Sequence, residues 1–509
     1  MKRTILLAFA GILLTVNSCR KQDATTFNPS SAGAPDPTQL DEFIRAKLTA
    51  EGQFLWAWAT DEQVWTALSN SDFVLSVGYK PTDVKDVESQ LHQIDIQSST
   101  WKTAHDAVMQ IVLQSERALN PSLTEAQLTA FPENGVLPVF DVYVHNPATI
   151  AALRRSGMVR YAEPIGYEPY MTTNARERTG GGSGCDGNSA EPGLAEGIDY
   201  TTITPACKKS WNHAYHNITP AWSNSTGAGV KVAIIDTGCS DAQENLGDAF
   251  NQGQSSGRTI QKYVTLPQAP GGPPETPNDE CGHGTSMEGA CAGPRGTDGA
   301  SVGIAYNCNL MTFRAAADVY LDESREVVGV ANAFTQAGGN SSVKIISMSM
   351  GRLTSASQIT DALVYAYNQN KMIFCAAGTS FWWSAWFVGV IFPASRPEAI
   401  AVTGMKTNLS SACSDCHTGS KVDFVLVMER TSDGHNPISL ADSGDDPSMV
   451  GGSSVSTAST AGIAALVWAK YPSWTRTQVF NRLKTSANYY PNRNGSFGWG
   501  RINAQIATQ

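Results

Sequence analysis

Three short stretches of this sequence hold side chains suited to nucleophilic or acid–base chemistry. Residues 451–460, GGSSVSTAST, contain two glycines and six hydroxyl side chains. By composition alone they fit either a solvated connector or a place where one serine acts as a nucleophile. The next residues separate the two: 458–469, ASTAGIAALVWA, predicts a buried helix of small and aliphatic residues. A serine at the N-terminal end of such a helix has its own N–H beside the positive helix end, which suits an oxyanion. Asp236 closes the apolar run VKVAII, where a carboxylate is half-buried and still reaches a rim; taken alone it also reads as a turn residue. His283, in CGHGTSMEGA, lies between two glycines at the start of a small-residue helix; taken alone it also reads as a surface or core histidine.

The elements that must position these groups are short apolar runs alternating with small-residue helices from about Pro205 onward, the texture of a parallel sheet buried on both faces. Four runs end in polar or glycine residues. They are 230–235 into Asp236-Thr237-Gly238, 344–348 into Ser349-Met350-Gly351, 372–375 into Ala376-Ala377-Gly378, and 399–402 into Thr403-Gly404. In open parallel sheets the reactive groups gather outside the carboxyl ends of the strands, so these endings are expected to share one rim.

With D-T-G after an apolar strand, G-H-G-T opening a helix, and G-x-S eight residues before the helix glycine Gly462, in the order Asp, His, Ser, the chain from about 205 to 509 resembles the subtilisin-like serine proteases, the subtilases. The stretches VKIISMSMG, IFPASRPEAIAVTG and FGWGRINAQIA are similar to family segments as well. The resemblance implies an α/β fold with a helix-flanked parallel sheet. It also implies peptide-bond hydrolysis through an acyl-enzyme on Ser454, with His283 as general base and Asp236 orienting and stabilising the imidazolium. Thr379 and the Ser454 N–H then form the oxyanion hole, and Ser349, Met350, Gly351, Ala376, Ala377 and Gly378 bind substrate. Several positions depart from the family, among them Ser453, where threonine is usual. Ala458 replaces a proline, which a good helix former tolerates. Thr379 stands where the family has asparagine, and losing that donor costs subtilisin about 10²–10³ in turnover. A catalytically weak or silent subtilase-fold binding protein is therefore the rival reading. Phe381 to Phe387, FWWSAWF, is expected near the pocket for the side chain before the cut and implies a preference for large apolar residues, or else an internally packed or lipid-facing cluster. Family calcium sites have little support: Asn245 stands where an aspartate is expected and the segment before Gly303 is short, so no metal site and no required cofactor are expected.

Upstream, residues 40–170 read as a small α+β domain. Val139 to Val144 predicts a strand, Asn146-Pro147 a cap and first helical turn with Ile150 and Leu153 on one face, Gly157 a stop, and Val159 to Ala162 a second strand. VFDVYVHNPATIAALRRSGMVRYAEP is similar to the end of a subtilase propeptide, which assists folding and then blocks the site; residues 40 to about 95 exceed the usual version. Residues 171–204 read as a linker and 205–509 as the protease domain. Residues 1–18 read as an export signal, with Lys2 and Arg3 before an apolar Ile5 to Val16. Val16-Asn17-Ser18-Cys19 resembles a bacterial lipobox, with Cys19 lipidated and 19–39 a tether. These features imply a bacterial cell envelope and a lipid anchor on the part that maturation removes. A cut near Arg176 or Arg178 leaves both Cys185 and Cys207 on the protease side and frees it, whereas a cut between those two cysteines, if they are paired, frees it only under reducing conditions. Ten cysteines less Cys19 leave nine, so at least one thiol is expected to be free or paired between chains, and Cys413–Cys416 suits a small loop disulfide. A net charge of -10 with no basic run disfavours nucleic acid, leaving protein or peptide substrates, the propeptide and the membrane as partners.

Overall fold

The computed structural model describes residues 35–169, 185, 188–380, 387 and 389–509. Its first part carries α1 (Thr38–Glu51), α2 (Asp61–Ser69), β1 (Val74–Tyr79), α3 (Ser99–Glu116), α4 (Glu125–Leu128), β2 (Val139–Tyr143), α5 (Pro147–Arg154) and β3 (Val159–Pro164). Next come β4 (Tyr200–Ile203), β5 (Cys207–Ser210), α6 (Ile218–Ala221), β6 (Lys231–Asp236), β7 (Ile260–Val264), α7 (His283–Ala292), β8 (Asn309–Arg314) and α8 (Ser324–Gly339). The chain continues through β9 (Val343–Met348), α9 (Ser357–Asn368), β10 (Met372–Ala376), β11 (Ile400–Lys406), β12 (Val422–Glu429) and α10 (Gly452–Lys470). Residues 35–509 form one compact unit. Among the described residues no helix is long and apolar enough to cross a membrane. Cys19, Arg176, Arg178 and residues 381–386 lie outside the described residues.

Seven strands pair in parallel in the order β12-β11-β10-β9-β6-β8-β7. The strand period of two decides what lies on each face. On β6, Val232 and Ile234 join the core beneath α7 and α10, while Ala233 and Ile235 join the core beneath α8 and α9. Both sets are apolar because both faces are covered, which is why these strands read as continuous apolar runs. The run expected to end at Thr403-Gly404 continues to Lys406. Gly404 is internal to β11 because the Cys413–Cys416 disulfide packs on it; a Cβ there would meet the Cys416 Sγ at 2.7 Å. The hairpin of β4 and β5 starts inside the stretch expected as linker.

The first part has the strand, helix, strand unit its sequence predicts. Asn146 caps α5, its side chain accepting from the Ala148 N–H, with Pro147 at the first helical position. The long stretch before it builds α1, α2 and β1, and β1 is the central strand of an antiparallel sheet, β2-β1-β3. That sheet continues the core over α8 and α9. Carboxylates fix the docking. Asp72 accepts from Ser324 Oγ (2.9 Å) at the start of α8, Glu163 accepts from the Ser357 N–H and Oγ at the start of α9, and Arg160 makes a two-point pair with Asp361 at 2.6 and 2.7 Å. Asp361 is nearly inaccessible, so Asp361→Ala leaves the Arg160 guanidinium buried without its partner. We expect that variant of the full chain to lose about 3 kcal/mol or more of stability, read by denaturant unfolding, and to expose 38–169 to added protease.

Candidate active site

Asp236 is the last residue of β6 and is 1% exposed. Its Oδ1 accepts from His283 Nδ1 at 2.7 Å and from the Thr237 N–H at 2.9 Å. His283 is the first residue of α7, and Gly282 before it has φ 84°, a left-handed conformation that glycine adopts without a steric penalty. The two motifs interlock residue by residue. Thr237 Oγ1 accepts from the Gly284 N–H (2.9 Å), and the Ser240 N–H donates to Thr285 Oγ1 (2.9 Å). A Cβ on Gly284 would sit 2.2 Å from the Gly238 carbonyl oxygen, so glycine is the residue that fits.

Asp279 is the residue of this site that sequence reasoning missed. Buried, it accepts from the N–H groups of Cys281 (3.1 Å), Gly282 (2.8 Å) and Thr285 (2.9 Å) and from Thr285 Oγ1 (2.8 Å). It closes the turn that enters α7, and the signal for it was an aspartate placed to cap the helix. Cys281 is bonded to Cys185, not Cys185 to Cys207. Cys207, Cys239, Cys291, Cys308 and Cys375 are buried thiols.

Burial by itself would lower the His283 pKa, but the charge of Asp236 and its hydrogen bond, with Asp279 and Asp318 further off, outweigh it and hold the imidazole above its usual 6.5. The negative cluster thus favours a proton arriving on this ring.

Ser454 lies in the first turn of α10, which begins at Gly452, six residues earlier than its apolar pattern predicts. Its N–H is therefore among the first-turn donors without an intrahelical partner. Ser454 Oγ donates to the Ser349 carbonyl at 3.3 Å, and Ser349 Oγ donates to the Ser454 carbonyl at 3.0 Å. His283 and Ser454 are not hydrogen-bonded to each other. Thr379 Oγ1 is 3.0 Å from Ser453 Oγ, at the same helix start.

A cavity of about 40 Å³ opens beside Ser454, bordered by Ser349, Met350, Gly351, Ala376, Gly378 and Thr379. Ala377 stands outside it: its side chain is buried and its N–H is spent on the Val402 carbonyl. His417, in no recognisable motif, also lines the cavity. Burial pushes its pKa down to about 4, so it is neutral, donating from Nδ1 to the Gly389 carbonyl (2.9 Å) and accepting from Ser380 Oγ at Nε2 (2.9 Å). Among the described residues no group of three or more His, Cys, Asp or Glu is placed to hold a metal ion.

A buried Asp–His pair at the end of one strand and a helix-start serine beside a pocket are what acyl transfer needs. A family model, Peptidase S8, described as the subtilase family, matches residues 227–500, over half of the chain. The chain belongs to the subtilase family. Alkaline elastase YaB of Bacillus sp. (strain YaB) is 30% identical over 289 residues, covering 56% of this subtilase and 66% of that protein. Subtilisin Savinase of Lederbergia lenta is 28% identical over 290 residues, covering 56% and 92%. This subtilase thus spans just under two thirds of the elastase's length. Among solved structures, MycP1 from Mycobacterium smegmatis aligns at TM-score 0.44 and 21% identity, covering 61% of this chain and 88% of that one.

The pH profile tests the Asp236–His283 pair. A base must be unprotonated, so the acid limb of kcat/KM is expected above pH 6.5. In Asp236→Asn the raising charge is gone while burial remains, so the limb is expected to move below 6.5 and kcat to fall by about 10⁴.

Proposed function

We propose that this subtilase is a serine endopeptidase made as an exported zymogen. The observation that carries the reading is the buried 2.7 Å hydrogen bond between Asp236 and His283 on the rim where α10 starts. In the reaction, the Ser454 side chain turns from the Ser349 carbonyl toward His283 Nε2, gives up its proton there and attacks the scissile carbonyl carbon. The oxyanion that forms is met by the Ser454 N–H and Thr379 Oγ1. Protonated His283 then delivers its proton to the leaving amine, and water repeats the sequence on the acyl-enzyme. Asp236 keeps Nδ1–H fixed throughout and stabilises the charged ring.

The segment 38–169 is the propeptide in this scheme, and its carboxylate-capped docking on α8 and α9 supports that role. Export by residues 1–18, lipidation at Cys19 and an envelope location belong to the same proposal. The Cys185–Cys281 disulfide changes how maturation releases the enzyme. A cut before Cys185 frees the protease from the anchored part; a cut after it leaves the two joined until reduction.

A fluorophosphonate probe tests the nucleophile. Processed wild type is expected to label and Ser454→Ala not to; labelling that persists in Ser454→Ala sinks the assignment, and an unlabelled processed wild type favours the silent-fold reading. Thr379→Val, which keeps shape and deletes the donor, is expected to lower kcat about tenfold or more with little change in KM. An unchanged rate would show that another group completes the oxyanion hole. Membrane fractionation with and without reductant checks the anchor: mature wild-type enzyme that stays with membranes after reduction contradicts it.

A further inference from the structure

The end of the docked N-terminal segment occupies a site built for a carboxylate. Glu168 and Arg352 are both 0% exposed at the side chain and paired at 2.9 Å. The Glu168 carboxylate also accepts from Tyr320 OH (2.6 Å), the Leu353 N–H (3.0 Å), the Thr354 N–H (3.1 Å) and Thr354 Oγ1. All five donors belong to the protease side, and two of them are backbone groups whose positions are set by the chain just past Gly351. The guanidinium spends its remaining N–H groups on the Ile165 and Tyr167 carbonyls (2.9 Å each) and on Thr354 Oγ1 (3.1 Å). A buried guanidinium stripped of such partners is costly, so removal of 165–168 leaves a site that favours a new anion.

This site shares two residues with the lining of the cavity beside Ser454. Tyr320 and Leu353, which donate to Glu168, also line that cavity. Gly351, which also lines that cavity, is the residue before Arg352. Resting on the protease reading above, we propose that Arg352, with Tyr320, Leu353 and Thr354, forms a subsite of the mature enzyme for an acidic side chain of the substrate, N-terminal to the scissile bond. Glu168 holds that subsite in the zymogen. Arg352 is a specificity determinant: its planar fork and the two backbone N–H groups match a carboxylate and leave a neutral amide poorly satisfied.

The test uses enzyme matured from the full chain and fluorogenic peptides that differ only in Glu or Gln, stepped through the positions before the cut. At one position kcat/KM is expected to be at least tenfold higher for Glu, and in Arg352→Gln the ratio is expected to fall to within twofold of one. Because Arg352→Gln leaves Glu168 unpaired in the zymogen, the same measurement is made on the double variant Glu168→Gln/Arg352→Gln. Equal cleavage of Glu and Gln peptides at every position, by enzyme that labels with fluorophosphonate, overturns the subsite and leaves the protease reading standing. A second measurement needs no turnover. In uncut full-length Ser454→Ala, adding Glu168→Ala is expected to lower Tm, and sodium acetate, against sodium chloride of equal ionic strength, is expected to restore at least half of the loss only when Glu168 is absent. No acetate effect overturns the site, and if the wild type fails to label, this arm alone decides.

Discussion

The close approach of Gly284 to Gly238 is the constraint on which the rest of the site depends. At the start of α7 there is no room for a side chain on Gly284, whose Cβ would press on the Gly238 backbone, and a Cβ on Gly238 would itself meet the Pro277 carbonyl. Only at that separation can the Gly284 N–H reach Thr237 Oγ1 and His283 Nδ1 reach Asp236. Placement of the imidazole is therefore set by backbone contact.

Burial sets the electrostatics around that contact. Asp236 sits at the end of a buried strand, and its Oδ1 is satisfied by an imidazole and a backbone N–H. One turn further along α7, Glu288 is 1% exposed, and burial, offset in part by the Cys239 thiol beside it, holds its carboxyl far above the usual range. The negative charge that acts on His283 is that of Asp236, with Asp279 and Asp318 further off.

The same logic governs the docked N-terminal segment. Glu163 and Asp141 are buried against α9, and burial pushes their carboxyls up to about 7 and about 6. A group whose pKa is raised in the folded chain favours the fold while protonated, so this contribution is fully present below the ordinary carboxylate range and is lost as pH climbs through about 6 and about 7. The Glu168–Arg352 and Asp361–Arg160 ion pairs belong to the same interface.

The order Asp236, His283, Ser454, the apolar runs that became β6, β9, β10 and β11, and the capped helix α5 were all legible in the sequence, because each is specified by residues within a few positions of one another. Even there the limits were local: α10 starts at Gly452 because tertiary packing, not apolar periodicity, sets its first turn. Strand β7, with its mixed burial pattern at the sheet edge, offered no continuous run to read. Pairing across distance was not legible at all. Cys185 joins Cys281 across 96 residues, His417 reaches the cavity from beyond β11, and Glu168 meets Arg352 from another layer of the molecule. Sequence determined which elements form and which motifs end them, since propensity and burial period act along the chain. Which cysteines meet, which charges are buried together and which rim residues face the cavity were decided only by the tertiary structure, because those choices depend on how layers stack and what each leaves exposed.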